Sequence, residues 1–195
     1  ERTAAGWTAG LPQLLELNPP GVMLHQLRST ADGGTVLGWR DDAVWSIVTT
    51  GRETRHLPMA RDTSEFFSLS PDGRWLAHGF RHAGVRVTAI PEGTAVHDFP
   101  GAGEWNSCVF SPDGKSLVTG DGHGFRLFRT GNWQEVWHNP SSGNGATGRD
   151  VGFDPSSRWL IHCPQPGCLT LLDPDSGREV VSLRRDRDNA AAHFA

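Results

Sequence analysis

The chain is poor in cysteine, in long apolar runs and in excess charge of either sign. Its three cysteines, Cys108, Cys163 and Cys168, are too few for a disulfide-stapled scaffold in 195 residues. No Cys-x-x-Cys pair occurs, so a zinc site would need two further ligands beside Cys163 and Cys168. These two bracket a loop between strands, where a strained cross-strand disulfide is the alternative to the preferred reading as ordinary buried thiols. No apolar stretch approaches the roughly 18 residues that a bilayer-spanning helix needs. Net charge is −4, with 21% charged residues. That leaves no electrostatic footprint for nucleic acid or an anionic membrane surface. No Gly-x-Ser-x-Gly elbow is present. The glycine-rich stretches at residues 121–125 and 141–145 do not open a helix, so neither reads as a phosphate cradle.

Glycine and proline are plentiful, at 24 and 13, while hydrophobic content is 36% and mean hydropathy −0.42. This composition suits many short strands joined by many turns. One stretch sets the pattern. Phe66-Phe67-Ser68-Leu69 is an apolar run, Ser70-Pro71-Asp72-Gly73 a tight turn, and Trp75-Leu76-Ala77-His78 a second apolar run. Proline presets φ, aspartate tolerates the next position, and Gly73 can adopt positive φ as the chain re-enters a strand. Ser111-Pro112-Asp113-Gly114 repeats the turn, and Thr30-Ala31-Asp32-Gly33 and Asp154-Pro155-Ser156-Ser157 are looser copies. Asp72, Gly73, Asp113 and Gly114 are therefore read as structural turn residues. Each turn offers one carboxylate, whereas a calcium loop needs several close together.

The turns begin at residues 30, 70, 111 and 154, in steps of 40, 41 and 43. Each step holds four short strand-like segments. Four strands every ~40–45 residues is the period of a propeller blade. The expected fold is all-β: a β-propeller of four-stranded antiparallel blades, about four of them, with partial blades at the ends. The blades cover about residues 24–58, 65–100, 107–139 and 150–184, and a further one starts at 190–195. Residues 1–23 read as a linker or the end of a preceding blade. Both chain ends are expected to be cuts in a longer polypeptide. The second and third strands are the most apolar, as when blades stack face to face. The fourth carries more charge, as an outer edge should.

With phenylalanine or leucine before Ser-Pro-Asp-Gly and Trp-Leu-Ala after it, the units from about residue 24 to 195 resemble WD repeats of the bacterial kind. Tol-type propellers share the turn. The Gly-His pair that usually precedes the first strand is absent. Ile90-Pro91, Arg129-Thr130 and Leu172-Asp173 stand where a Trp-Asp pair would close the third. The resemblance implies a ring of about seven blades, and open end faces that need further blades or self-association. It also implies a non-catalytic scaffold, part of a larger, multidomain protein, that takes a protein partner on its rim. No cofactor or metal is expected.

Two loop sets would form that rim. One joins blades, at residues 58–64, 101–106, 139–149 and 184–189. The other joins the second and third strands, at 40–42, 81–84, 121–124 and 164–167. Arg61, Arg81, His82, Glu104, Trp105, His123 and Arg149 lie on them and are the candidate partner contacts, since arginine and large aromatics anchor interfaces. His78 and His162 share one repeat position and read as packed histidines. The alternative is an enzyme or small-ligand propeller with a site in the central channel. It would draw on the starts of the first strands, where only Glu65 and Asp150 lie.

Overall fold

A computed structural model of the chain describes residues 2–3, 6–7, 24–30, 32–40, 44–49, 54–58, 63–90, 92–101, 106–140, 151–163 and 167–184. Among them every regular element is a strand. A short ribbon pairs β1 (Arg2–Thr3) with β2 (Gly6–Trp7). Four antiparallel sheets follow, each with its strands in sequence order. The first holds β3 (Leu24–Ser29), β4 (Thr35–Arg40), β5 (Val44–Thr49) and β6 (Thr54–Pro58). The second holds β7 (Thr63–Leu69), β8 (Trp75–Phe80), β9 (Gly84–Ala89) and β10 (Ala95–Phe99). The third holds β11 (Ser107–Phe110), β12 (Ser116–Asp121), β13 (Gly124–Arg129) and β14 (Glu135–Pro140). The fourth holds β15 (Val151–Phe153), β16 (Leu160–His162), β17 (Cys168–Leu172) and β18 (Glu179–Arg184). These sheets are the blades of an all-β propeller segment. Most of the 1–23 stretch and all of 190–195 lie outside the described residues.

The four turns between first and second strands are built alike. The amide of Gly33, Gly73, Gly114 or Ser157 donates to the carbonyl three residues earlier, at 2.9–3.0 Å. The Thr30, Ser70 and Ser111 hydroxyls donate to Asp32, Asp72 and Asp113 at 2.6, 2.7 and 2.7 Å. Each hydroxyl oxygen in turn accepts the amide five residues on, from Thr35, Trp75 or Ser116. In the fourth blade the two side chains trade places. Asp154 stands first and accepts the Ser156 hydroxyl and the Trp159 amide. The turn thus satisfies its own backbone donors from short side chains, which is why Ser, Thr and Asp recur there. Hydrogen bonds from the Thr30 hydroxyl and the Gly34 amide hold the Asp32 carboxyl below its ordinary range. Gly73 and Gly114 take φ of 72° and 73°, where glycine bears no Cβ penalty; Ser157 takes 60° without that freedom.

The core lies between blades. Phe99, Phe110, Phe128 and Trp133 meet between the second and third, with Ala77, Val85, Val87 and Leu117 around them. Phe99 lies 4.2 Å from Phe128, ring to ring, and Trp133 stands edge-on to Trp75 at 5.8 Å. Val118, Phe125, Val151, Leu160 and Leu172 fill the next gap, flanked by Trp137. Each fully buried leucine here contributes ~1.5–3 kcal/mol by leaving water. Polar contacts cross as well. The Phe110 amide donates to Ser68 Oγ at 2.9 Å, Asp113 N to Ser157 Oγ at 3.0 Å, and Trp137 Nε1 to the Pro174 carbonyl at 2.9 Å. Cys163 and Cys168 are half-buried rather than buried, and no disulfide joins them.

Candidate interaction rim

Antiparallel order puts the turns between second and third strands at the same end of each blade as the segment leading to the next blade. At the second blade these two pieces touch. Gly84 has φ of 90°, and a Cβ built on it would stand 2.0 Å from the Phe99 carbonyl oxygen and 2.5 Å from Gly101 N. A Cβ on Gly101 would stand 2.8 Å from Gly84 Cα. Two backbones therefore pack directly on one another, which only glycine permits at this φ and distance. Asn106, which is buried, ties the same corner by donating its amide to the Phe80 carbonyl at 2.6 Å. The turn is pinned to the neck that enters the third blade.

A shallow cleft runs along this corner, bordered by Gly84, Gly101, Asn106, Asp121, Gly124 and Arg126. It brings the 81–84 turn and the 121–124 turn to one place. Arg81 and His82 are exposed at the tip of the former, with His82 at φ of 57°. His123 is exposed at the tip of the latter, its backbone amide donating to Asp121 Oδ1 at 2.7 Å. Arg61, Glu104, Trp105 and Arg149 lie outside the described residues, as does Asp150. Glu65 lies on β7, and its side chain is not described.

Two groups with reactive side chains sit away from the rim and are held neutral. His78 is 2% exposed, with Nε2 3.3 Å from Thr88 Oγ1 and its ring 4.6 Å from Phe80. Burial, aided by the nearby Arg86 cation, pushes its pKa down to about 3. Burial pushes the Cys108 thiol up to about 12. Neither group titrates near neutrality, so neither is poised for acid–base or nucleophilic work there. Among the described residues no group of three His, Cys, Asp or Glu is placed to hold a metal ion. Arg86 and Asp98 form a bidentate pair across β9 and β10, at 2.6 and 3.0 Å. The pair is largely solvent-exposed and adds little stability. The hydrogen bond from Arg86 holds the Asp98 carboxyl below its usual range.

Sequence reasoning passed over Trp133, which joins blades. It sits in the turn between β13 and β14 at φ of 56°, 8% exposed, against Trp75, His97 and Phe99 of the second blade. A tryptophan following Gly131-Asn132 in a polar turn was the available signal.

No protein-family model matches the chain. It is 28% identical over 169 residues to the meiotic recombination protein rec14 of Schizosaccharomyces pombe, which aligns 83% of this chain with 55% of that protein. Hydrazine synthase of Kuenenia stuttgartiensis is similar in structure, with a TM-score of 0.63 and 21% identity over 91% of this chain and 52% of that one. A chain in the crystal structure of the mitotic checkpoint complex has a TM-score of 0.68 and 12% identity over 86% of this chain and 52% of its own. The fold is a WD-like β-propeller segment. The chain spans about half the length of the curated relative it matches.

Proposed function

We propose that this segment is a non-catalytic scaffold that binds a protein partner on the rim bearing the 81–84 and 121–124 turns, within a larger, multidomain bacterial protein. The observation that carries this reading is the pinned corner. Gly84 packs on Gly101 and Asn106 bonds Phe80, so the exposed Arg81 and His82 ride on backbone that is already fixed, while the turn of the exposed His123 is held by its own bond to Asp121. A surface ordered in advance loses less entropy when a partner docks. The net charge of −4 favours a protein over a polyanion. The relatives support it too: one is a recombination protein, and one solved neighbour is a chain of a checkpoint complex.

The test compares the immobilised chain with a variant carrying Arg81→Ser, His82→Asn, Trp105→Ser and His123→Ser. Bound proteins are identified by mass, and both chains are unfolded by heat. A defined partner that leaves the variant, with the unfolding midpoint unchanged, supports the rim. The same partners bound equally by both chains refute it.

A further inference from the structure

The second and third blades carry an arginine at the same place. β9 opens Gly84-Val85-Arg86 and β13 opens Gly124-Phe125-Arg126. The register sets Arg86 opposite Asp98 on the fourth strand of its blade, and Arg126 opposite His138. Asp98 accepts from Nε and Nη2 of Arg86 at 2.6 and 3.0 Å. An imidazole offers no such pair of acceptors. Among the described residues no carboxylate stands within ion-pair distance of Arg126. The third blade keeps the cation of this cross-strand pair and lacks its anion.

Arg126 also stands where a ligand can reach it. It is half-buried and borders the rim cleft beside Thr119, across from Gly84, Phe99 and Gly101. Asp121 borders the same cleft, but its Oδ1 accepts the His123 amide at 2.7 Å and it forms no ion pair with Arg126. A planar guanidinium at the wall of a cleft favours an acceptor with two oxygens. The whole chain carries −4 and gives an acid no long-range attraction, so the preference is confined to this spot.

We propose that the cleft takes the carboxylate of an aspartate or glutamate side chain, presented by an acidic segment of the partner protein. It is seated on Arg126 as Asp98 is seated on Arg86. This rests on the rim reading above and adds the chemistry of what the rim receives. A nucleic-acid backbone fits less well, because a run of phosphates needs several cations in line and Asp121 stands in the way.

Fluorescence anisotropy of a labelled hexaglutamate peptide at near-physiological salt tests this, with hexaglutamine and a single-stranded oligothymidylate as controls. Hexaglutamate should bind the chain and the two controls should not. Arg126→Gln should weaken binding about tenfold or more, the loss of one charge-assisted bidentate contact. Arg86→Gln, at the equivalent place but already paired with Asp98, should change it by less than about twofold. His138→Asp should weaken it as much as Arg126→Gln does, because it gives Arg126 the partner that Arg86 has. Gln134→Glu adds the same charge at the opposite end of the blade and should leave binding unchanged. Heat unfolding checks that each variant folds. If His138→Asp does not, Arg126→Lys takes its place, since a point charge keeps the sign but not the two-oxygen fit.

No binding of hexaglutamate, equal binding by the Arg126→Gln chain, or tighter binding of the oligothymidylate would overturn the proposal. So would a gain of binding in Glu104→Gln, which would assign Arg126 to the chain's own neck. The rim reading is judged separately. A partner lost from the four-residue rim variant but kept by Arg126→Gln leaves the rim in place and removes the carboxylate.

Discussion

Replacing Gly84 with alanine separates backbone strain from steric contact, because Gly131 supplies a matched control. Gly84 has φ of 90° and Gly131 of 94°, so an alanine at either meets nearly the same left-handed penalty. That penalty is about 1–2 kcal/mol. Around Gly131 a new Cβ meets nothing within 4 Å. At Gly84 it meets the Phe99 oxygen at 2.0 Å, Gly101 N at 2.5 Å and the Pro100 carbonyl carbon at 2.9 Å. All three are backbone atoms, so no rotamer change relieves the clash, and the neck into the third blade must move. Forced overpacking of this kind adds about 1–3 kcal/mol. Gly84→Ala should therefore cost roughly 2 kcal/mol more than Gly131→Ala. Urea titration followed by tryptophan fluorescence reads the difference. With a slope of about 2 kcal/mol per molar, the Gly84→Ala midpoint should fall about 1 M below that of Gly131→Ala. Equal midpoints would show that the glycine contact does not hold the rim, and would remove the physical basis of the scaffold reading.

Three further expectations follow from single groups. His78 has a folded pKa depressed to about 3, so its neutral burial stabilises fully above the unfolded value and is lost as pH falls from there toward 3. Between pH 7 and 5 the loss is about 2 kcal/mol, and His78→Gln should flatten that part of the stability profile; an unchanged slope would contradict the burial argument. At Ser157, φ of 60° and the bond from Asp113 N oppose each other. Ser157→Ala keeps the strain and loses the bond, so it should be less stable than Ser157→Gly by about 1 kcal/mol, with faster amide exchange at Asp113 in both. A Ser157→Ala midpoint at or above that of Ser157→Gly would count against this. Asp72→Ala removes the acceptor for the Ser70 hydroxyl and the Arg74 amide and should cost about 1 kcal/mol in thermal unfolding. A neutral result would mean that water replaces both bonds.

The all-β propeller class was legible because its determinants are local. A serine, an aspartate and a glycine within four residues both make the turn and write its signature, and the ~40-residue period then names the architecture. The joints between blades were not legible. Trp133 reaches Phe99, Asn106 reaches Phe80, and Gly84 lies on Gly101, each across a stretch of chain with no pattern to mark the pair. The burial of Cys163 and Cys168 was misread for a different reason. Cys163 follows the last residue of β16 and Cys168 is the first of β17, so both stand at strand ends rather than in the buried middle of the sheet. The rim residues were legible as loop positions only, because exposure at a loop tip follows from topology while partner chemistry leaves no local trace.

The exchange of aspartate and serine in the fourth blade bears on how such chains diverge. Asp154 and Ser156 complete the same circuit as Ser111 and Asp113 with donor and acceptor carried by the opposite members. The clasp needs one donor and one acceptor two residues apart and closes with either order. Ancestral copies can therefore drift until no letter is shared at a position while the loop they close stays the same, and a count of units by their lettering will fall short of the number that fold.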